Sequence, residues 1–120
     1  QSYFSEDYTH IVPAKIARLL HEFITTHYQD NLNLSIIAQT MNYSQSYLTK
    51  IFLQEYNCTP IKYLNSLRLK KACSFLIYNP ELTISQIATL TGYEDQGYFS
   101  RTFKKHFGIS PLQYRKNHEE

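Results

Sequence analysis

Two basic side chains at equivalent positions of an internal repeat, Lys50 and Arg101, are well suited to bind an anionic or hydrogen-bonding partner. Between residues 50 and 118, ten Lys and Arg residues stand against four acidic residues, a formal charge of +6, whereas residues 1–49 sum to −2. The whole chain has 120 residues and a net charge of +2. A basic segment of this kind favours an anionic partner such as nucleic acid, and a solvated charged face is the alternative.

The repeat extends well beyond these two side chains. Ile37-Ala38 recurs as Ile87-Ala88 at an offset of fifty, and after one inserted residue the offset becomes fifty-one. At two positions the first copy of the repeat has Asn where the second copy has Gly. Both residue types tolerate the left-handed backbone of a helix C-terminus. The equivalent pairs are Asn42/Gly92, Tyr43/Tyr93, Tyr47/Tyr98, Lys50/Arg101, Phe52/Phe103, Tyr56/Phe107, Asn57/Gly108, Pro60/Pro111 and Tyr63/Tyr114. The pattern of each unit predicts a short helix, a tight turn, a second helix and then the capped start of a further helix. This arrangement is a helix-turn-helix.

Helical periodicity predicts the elements that position these residues. A first helix starts at Pro13 and ends at the Gln29-Asp30-Asn31 cluster, and a short second helix starts at Asn33-Leu34-Ser35. A longer helix lies between Thr59 as its cap and Pro80 as its stop. The expected buried positions of the first two helices are Ile16, Leu19, Leu20, Phe23, Ile24, Ile36, Ile37, Ala38 and Met41. Nothing resembles alternating strands, so the prediction is an all-α fold with about seven helices.

The domain organisation predicted from this pattern has four parts. Residues 1–10 are polar and carry no period, so a tail or an interdomain linker is expected over residues 1–12. Residues 13–58 form the first helix-turn-helix subdomain. Residues 59–79 form a long linker helix, and residues 80–120 form the second helix-turn-helix subdomain. Residues 60–78 as one helix would be about 28 Å long. Because major-groove segments on one DNA face recur every ~34 Å, such a rod could hold two readers about one turn apart.

Several classes of function are disfavoured. Gly92, Gly97 and Gly108 cannot form a phosphate-binding loop, and no nucleophile–base pair or carboxylate dyad stands out, so we expect no enzyme and no cofactor. Cys58 and Cys73 have no metal or disulfide spacing, and the five histidines lack ligand spacing, so we expect no metal site and a reducing, cytoplasmic setting. No segment has the length of a membrane span. Eleven tyrosines could stack on single strands, but their repeat-equivalent positions favour core and turn packing.

The second repeat resembles the AraC/XylS family of transcription regulators. The residues that carry the resemblance are Ile84-Ser85-Gln86-Ile87-Ala88, Gly92-Tyr93, Tyr98 to Gly108, Ser110-Pro111 and Tyr114-Arg115. Leu67 to Ala72 is similar to the family's linker helix, and the resemblance covers roughly residues 13–116. It implies two helix-turn-helix subdomains joined by one helix, with two recognition helices that enter successive major-groove segments on one side of the DNA.

The resemblance also implies which residues would contact DNA. The base readers would be Gln45, Ser46, Thr49 and Lys50 on the first recognition helix, and Gln96, Gly97, Ser100 and Arg101 on the second. Phosphate contacts would come from Lys62, Lys71, Lys104 and Lys105, and from the helix N-termini at Ser35 and Thr83. Ser46 and Gly97 are small where the family often has larger side chains, so readout there would be weak or water-mediated. Asp95 would cap the second recognition helix, with acceptance from a cytosine amine as the alternative.

The expected partners are double-stranded promoter DNA and RNA polymerase, with no membrane. We expect the chain to be monomeric, whereas its parent protein could dimerise through a domain outside it. Two other functions stay open from the residues alone. One is an all-α protein-interaction module without DNA binding, and the other is a module that binds RNA or single-stranded DNA.

Overall fold

Seven α-helices make up most of the described backbone in a computed structural model of the chain. The structure describes the backbone of residues 2–119 and the side chains of residues 11–119. This part of the chain contains no β-strand, so the prediction of an all-α fold with about seven helices is confirmed. The helices are α1 (Ser2–His27), α2 (Leu34–Met41), α3 (Gln45–Tyr56), α4 (Pro60–Tyr78), α5 (Ile84–Leu90), α6 (Gln96–Phe107) and α7 (Pro111–Asn117).

The first helix begins earlier than the sequence predicts. It includes residues 2–12, where a tail or linker is expected, and Pro13 lies inside α1 rather than in its first turn. Proline has no N–H, so α1 lacks the hydrogen bond that this residue would otherwise donate. Residues 2–10 have no apolar period, but a helix that is already nucleated extends at low cost. Gln1 and Glu120 lie outside the described residues, and a connection to a further domain stays a prediction.

The first of two compact units contains the residues up to His27 together with Leu32–Leu64. Its fully buried side chains come from four helices and include Leu20, Ile24, Ile37, Leu48, Phe52 and Leu64. The expectation that Leu19 and Ile36 belong to this core is wrong, because they are 52% and 38% exposed. Each lies next to a fully buried residue, and the step of about 100° per helical residue carries its side chain away from the core.

The second unit contains Tyr28–Asn31 and the residues from Asn65 onward. Its core is one hydrophobic cluster of Leu69, Ala72, Leu76, Ile87, Ala88, Tyr93, Phe99 and Phe103. The division falls inside α4, whose first turn belongs to the first unit. Thr59 caps α4 by accepting the N–H of Lys62 at 3.2 Å, and Pro60 is its first residue. The helix predicted over 59–79 is therefore present to within a residue, and its role as a linker stays a prediction.

The repeat-equivalent turns have the geometry that their residue types predict. Asn42 and Asn57 have φ of 65° and 61°, and Gly92 and Gly108 have φ of 94° and 84°. All four therefore adopt the left-handed conformation that ends a helix or turns the chain. In each unit this turn separates two helices, so both copies of the helix-turn-helix are present as the repeat predicts.

Candidate nucleic-acid interface

The first predicted recognition helix, α3, presents its polar residues on its exposed side. Its buried face is apolar and consists of Leu48, Ile51 and Phe52. Of the predicted base readers on α3, three are exposed and one is partly buried: Gln45, Ser46 and Lys50, and Thr49. Ser44 fixes the start of the helix, because its Oγ accepts the N–H of Tyr47 at 3.1 Å. The cap and the apolar face together leave these readers available to a partner.

The second predicted recognition helix, α6, repeats this arrangement. Phe99 and Phe103 are its buried residues. Of the predicted readers on α6, two are exposed and two are partly buried: Gln96 and Arg101, and Gly97 and Ser100. Asp95 caps the helix, because its Oδ1 accepts the N–H of Gly97 at 2.7 Å. The expectation that Asp95 is a cap is therefore confirmed, and no base contact is needed to explain it.

The four predicted lysines lie outside the protein core. Lys62, Lys104 and Lys105 are exposed, and the last two lie in the C-terminal turn of α6, where cations interact favourably with the helix dipole. Lys71 is also exposed, and its Nζ lies 5.7 Å from the centre of the Tyr28 ring. The structure thus leaves all four ammonium groups accessible to phosphate, although Lys71 already has an aromatic neighbour.

The two predicted helix N-termini differ in detail. Ser35 is exposed in the first turn of α2, but the cap of that helix is Asn33, whose side chain accepts the N–H of Ile36 at 2.8 Å. Thr83 is itself the cap of α5 and exchanges two hydrogen bonds with Gln86 in a capping box. The first N–H groups of a helix have no acceptor within it, so both ends can still receive a phosphate oxygen.

Arg68 is a functional candidate that the sequence analysis missed. Its side chain is only 8% exposed, its Nε donates to the carbonyl of Tyr28 at 2.8 Å and its Nη2 to that of Asp30 at 2.8 Å. Burial lowers the pKa of this guanidinium. The sequence does contain a signal that Arg68 is buried. Leu64 and Ala72, four residues before and after it, are apolar and lie on the same face of α4.

The tyrosines of the two turns differ more than the repeat suggests. Tyr93 is 5% exposed, and burial raises its pKa to about 12. Its equivalent, Tyr43, is exposed, and so is Tyr98 on α6. The expectation of core packing therefore holds for Tyr93 and not for Tyr43 and Tyr98. The physical reason is that Arg68 lies over the Tyr93 ring, with its Cζ 5.7 Å from the ring centre. Tyr43 and Tyr98 instead have ring contacts at the turns, with Tyr47 at 5.5 Å and Tyr93 at 6.1 Å between ring centres.

The described residues contain neither a metal-binding cluster nor a membrane-spanning helix. Among residues 11–119, no group of three or more His, Cys, Asp or Glu side chains is arranged to hold a metal ion. Cys58 and Cys73 are half-buried thiols, and burial raises the pKa of Cys73. Within the same range, no helix is both long and apolar enough to cross a bilayer.

Comparisons with known proteins place these features in a family. A family model described as a helix-turn-helix domain matches residues 37–117. The lactose operon transcription activator of Staphylococcus xylosus is 38% identical over 94 residues, which are 78% of this chain and 33% of that protein. The C-terminal domain of AraT, a response regulator from Geobacillus stearothermophilus, is 38% identical with a TM-score of 0.81, over 85% of this chain and 84% of that one.

A transcriptional regulator from Chromobacterium violaceum, described as containing an AraC-type DNA-binding domain, is 27% identical with a TM-score of 0.71, over 84% of this chain and 89% of that one. The chain spans about a third of the length of the curated relatives it matches, at 33% and 34%. The family model nevertheless covers more than half of the chain, including both predicted recognition helices. The chain therefore belongs to the AraC/XylS family of helix-turn-helix transcription regulators and corresponds to their DNA-binding domain.

Proposed function

We propose that this chain binds double-stranded promoter DNA and reads its sequence with two helices, α3 and α6, in successive major-groove segments. One observation carries the proposal. Two helices at repeat-equivalent positions are each fixed by a side-chain cap, at Ser44 and Asp95, and each directs a basic side chain outward, Lys50 and Arg101. A protein-interaction module would not need the same polar positions on both helices.

The base readers in this proposal have distinct chemistry. Arg101 donates two hydrogen bonds to O6 and N7 of a guanine, and Gln96 pairs with an adenine through its amide. Lys50 takes the position of Arg101 on α3, and Gln45 that of Gln96. The remaining readers are short and make weaker or water-mediated contacts: Ser46, Thr49, Gly97 and Ser100.

Phosphate contacts position the protein in this proposal. Lys62, Lys71, Lys104 and Lys105 neutralise backbone charge, and the first turns at Ser35 and Thr83 offer N–H groups to phosphate oxygens. These contacts hold the register of the two helices on the duplex and carry no sequence information. Their number sets how steeply binding weakens as the salt concentration rises.

The wider role follows from promoter binding. We infer that the parent protein acts in the bacterial cytoplasm, without catalysis, by contacting RNA polymerase or by excluding it from the promoter. The relative from Staphylococcus xylosus is named as an activator, which favours a contact with the polymerase. The chain by itself binds as a monomer, because its two readers lie in one polypeptide. Dimerisation of the parent belongs to a domain outside this chain.

Selection from a randomised duplex library, followed by fluorescence anisotropy on the selected duplex, tests the proposal. The protein should prefer the duplex over either of its single strands, and its affinity should fall linearly with the logarithm of salt concentration. Arg101→Ala should lose about 1–3 kcal/mol of discrimination at one base pair. Lys116→Ala is the matched control, because it removes an exposed positive charge from α7 without altering a recognition helix.

The possible results separate the alternatives. A folded protein that binds no duplex at low salt would refute the proposal and favour a protein-interaction module. Preference for the single strands would point instead to exposed Tyr43 and Tyr98 as stacking groups. Equal losses in Arg101→Ala and Lys116→Ala, uniform over all sequences, would reduce Arg101 to a phosphate contact.

A further inference from the structure

Two arginines of the second unit use their guanidinium groups in different ways. Arg115 uses all three nitrogens: its Nε donates to the Leu76 carbonyl at 3.1 Å, its Nη1 to that of Leu82 at 2.8 Å and its Nη2 to that of Asn79 at 3.2 Å. Arg68 uses only Nε and Nη2 in its bonds to the loop carbonyls. The Nη1 group of Arg68, with two N–H donors, has no acceptor among the described residues.

This free nitrogen belongs to a charge that is buried but not neutralised. Arg68 is 8% exposed, yet its hydrogen bonds go to carbonyl groups, and no carboxylate contributes to the shift of its pKa. In the described residues, the fully buried side-chain atom without a hydrogen-bond partner is the hydroxyl of Tyr93. The Nη1 atom of Arg68 is not fully buried in this way, so a ligand can reach it. Burying a cation without an anion is unfavourable, so an anion that reached Nη1 would be bound strongly.

Arg68 faces a cavity of about 390 Å³ that α6 also lines. Arg101, itself a predicted base reader, adds a second guanidinium to the lining of this cavity, and the exposed residue Tyr98 adds a hydroxyl. Glu94 and Asp95 also line it. Asp95 uses one carboxylate oxygen to cap α6, whereas the exposed side chain of Glu94 is not part of a helix cap. The lining therefore combines two guanidinium groups and a tyrosine hydroxyl with two carboxylates, and the Glu94 charge can be removed without loss of the α6 cap.

We propose that the cavity bounded by Arg68, Tyr98 and Arg101 binds one phosphate group of the DNA backbone. This assignment rests on the duplex binding proposed above and adds Arg68 and Tyr98 to the phosphate contacts. Arg68 Nη1 and the Tyr98 hydroxyl donate to the phosphate oxygens, while the other nitrogens of Arg68 keep it anchored to the loop. Arg101 can then turn its guanidinium towards a base with the neighbouring phosphate already held. Glu94 opposes the phosphate and limits the affinity.

Three single variants test the site by fluorescence anisotropy on the selected duplex over a range of salt concentrations. Tyr98→Phe removes one exposed hydroxyl and should weaken binding about tenfold, the effect of a hydrogen bond to a charged group. Glu94→Gln removes the opposing charge and should strengthen binding a few-fold. Arg68→Lys keeps the charge but loses the planar fork, and should weaken binding at least as much as Tyr98→Phe.

Matched controls separate these effects from general destabilisation. Arg115→Lys makes the same chemical change in an arginine whose three nitrogens are already bonded to carbonyls. Tyr78→Phe removes the hydroxyl of an exposed tyrosine at the end of α4. Both controls should leave duplex affinity unchanged, although Arg115→Lys should lower the unfolding temperature. If Arg68→Lys fails to fold, Tyr98→Phe and Glu94→Gln still decide the question, because both change exposed side chains.

Duplexes that each carry one neutral methylphosphonate linkage identify the phosphate. One linkage should weaken binding by the wild type and Arg115→Lys, but weaken it less in Tyr98→Phe. A parallel NMR titration with inorganic phosphate tests the other source of this chemistry. If inorganic phosphate shifts the amide signals around Tyr98 while no methylphosphonate position matters, the ligand is a free phosphate compound and the proposal is overturned.

The remaining outcomes are equally decisive. Unchanged affinity in both Tyr98→Phe and Glu94→Gln would overturn the phosphate site while leaving duplex binding intact. Weaker binding in Glu94→Gln would show that the carboxylate itself contacts DNA, which also overturns it. A wild type that binds no duplex refutes the proposed function itself, a result that none of the variants can imitate.

Discussion

The guanidinium of Arg101 lies beside the bare α-carbon of Gly97. A methyl group on Gly97 would lie 3.1 Å from Nη1 of Arg101 and 3.2 Å from Oδ1 of Asp95. Both distances are shorter than ordinary van der Waals contacts, so the absence of a side chain at position 97 makes room for the cap and for the arginine together. In α3 the equivalent pair is Ser46 and Lys50, and there a side chain is present.

Gly97→Ala should therefore impair recognition with little gain in stability. The gain in helix propensity is small in the first turn of α6 and is offset by crowding of the Asp95 cap, so the urea midpoint should change little. The added methyl displaces the Arg101 guanidinium, so discrimination at the base pair that it reads should fall a few-fold. Anisotropy on the selected duplex and on its single-base variants measures this loss. In an Arg101→Ala background, Gly97→Ala should change discrimination no further, and Ser46→Ala is the control on α3.

Asp95 should stabilise the protein as a helix cap rather than as a base reader. Asp95→Ala removes the acceptor for the Gly97 N–H and should lower the free energy of unfolding by about 1 kcal/mol, as cap removal usually does. Asp95→Asn keeps an acceptor oxygen and should lose much less. Urea denaturation followed by circular dichroism gives both values, and Ser44→Ala provides the same comparison for α3. Equal losses in Asp95→Ala and Asp95→Asn would contradict the cap.

The features that the sequence predicts correctly depend on local chemistry. Thr59 and Asp95 cap helices because a short polar side chain can accept a nearby backbone N–H, and neither needs a distant partner. Asn57 and Gly108 take the left-handed backbone because their residue types tolerate it. The bounds of α4 and both turns could thus be found from neighbouring residues.

The features that the sequence does not predict depend on packing between distant segments. Leu19 and Ile36 have the types of core residues, and only the position of the neighbouring helices decides that they are exposed. Tyr43 and Tyr93 are equivalent in the repeat, but only Tyr93 lies under Arg68. The loop that holds Arg68 is about forty residues earlier in the chain, and no local pattern reports such a contact. The cavity beside α6 was missed for the same reason.

Gly92 and Gly108 both have a left-handed backbone, but they should tolerate substitution by alanine very differently. Gly108 has a φ of 84° with no atom within 4 Å of an added methyl, so Gly108→Ala should cost about 1–2 kcal/mol, the strain of a left-handed backbone. In Gly92, with a φ of 94°, the methyl would also lie within 2.5 Å of the Tyr28 carbonyl oxygen and 2.7 Å of Arg68 Nε. Gly92→Ala should therefore destabilise clearly more, because it also breaks the contacts of Arg68.

Urea denaturation of the two variants measures this difference. Gly108→Ala should keep duplex affinity under conditions in which it is folded, whereas Gly92→Ala should also weaken binding because the loop and α6 both adjoin the altered turn. Gly108→Asn is the control for strain alone, since asparagine occupies the equivalent position 57 with a φ of 61°. Similar stability losses in Gly92→Ala and Gly108→Ala would show that the loop and Arg68 move aside for the added methyl without loss of stability, which would contradict the prediction.

Alkaline pH should destabilise the protein through Tyr93. Burial raises the pKa of this hydroxyl to about 12 in the folded state, while an unfolded tyrosine ionises near 10. The unfolded chain therefore loses this proton first, so the contribution of Tyr93 is constant below about pH 10 and is lost as pH rises from about 10 to 12. Tyr93→Phe should flatten the fall in unfolding free energy over that window.

Other tyrosines also contribute to the pH dependence. Burial raises the pKa of Tyr56, and a hydrogen bond with Cys73 raises the pKa of Tyr114, so part of the slope should persist in Tyr93→Phe. Urea denaturation at stepped pH provides the measurement, with exposed Tyr78→Phe as the control. An identical slope in the wild type and Tyr93→Phe would mean that water reaches the Tyr93 hydroxyl before the protein unfolds.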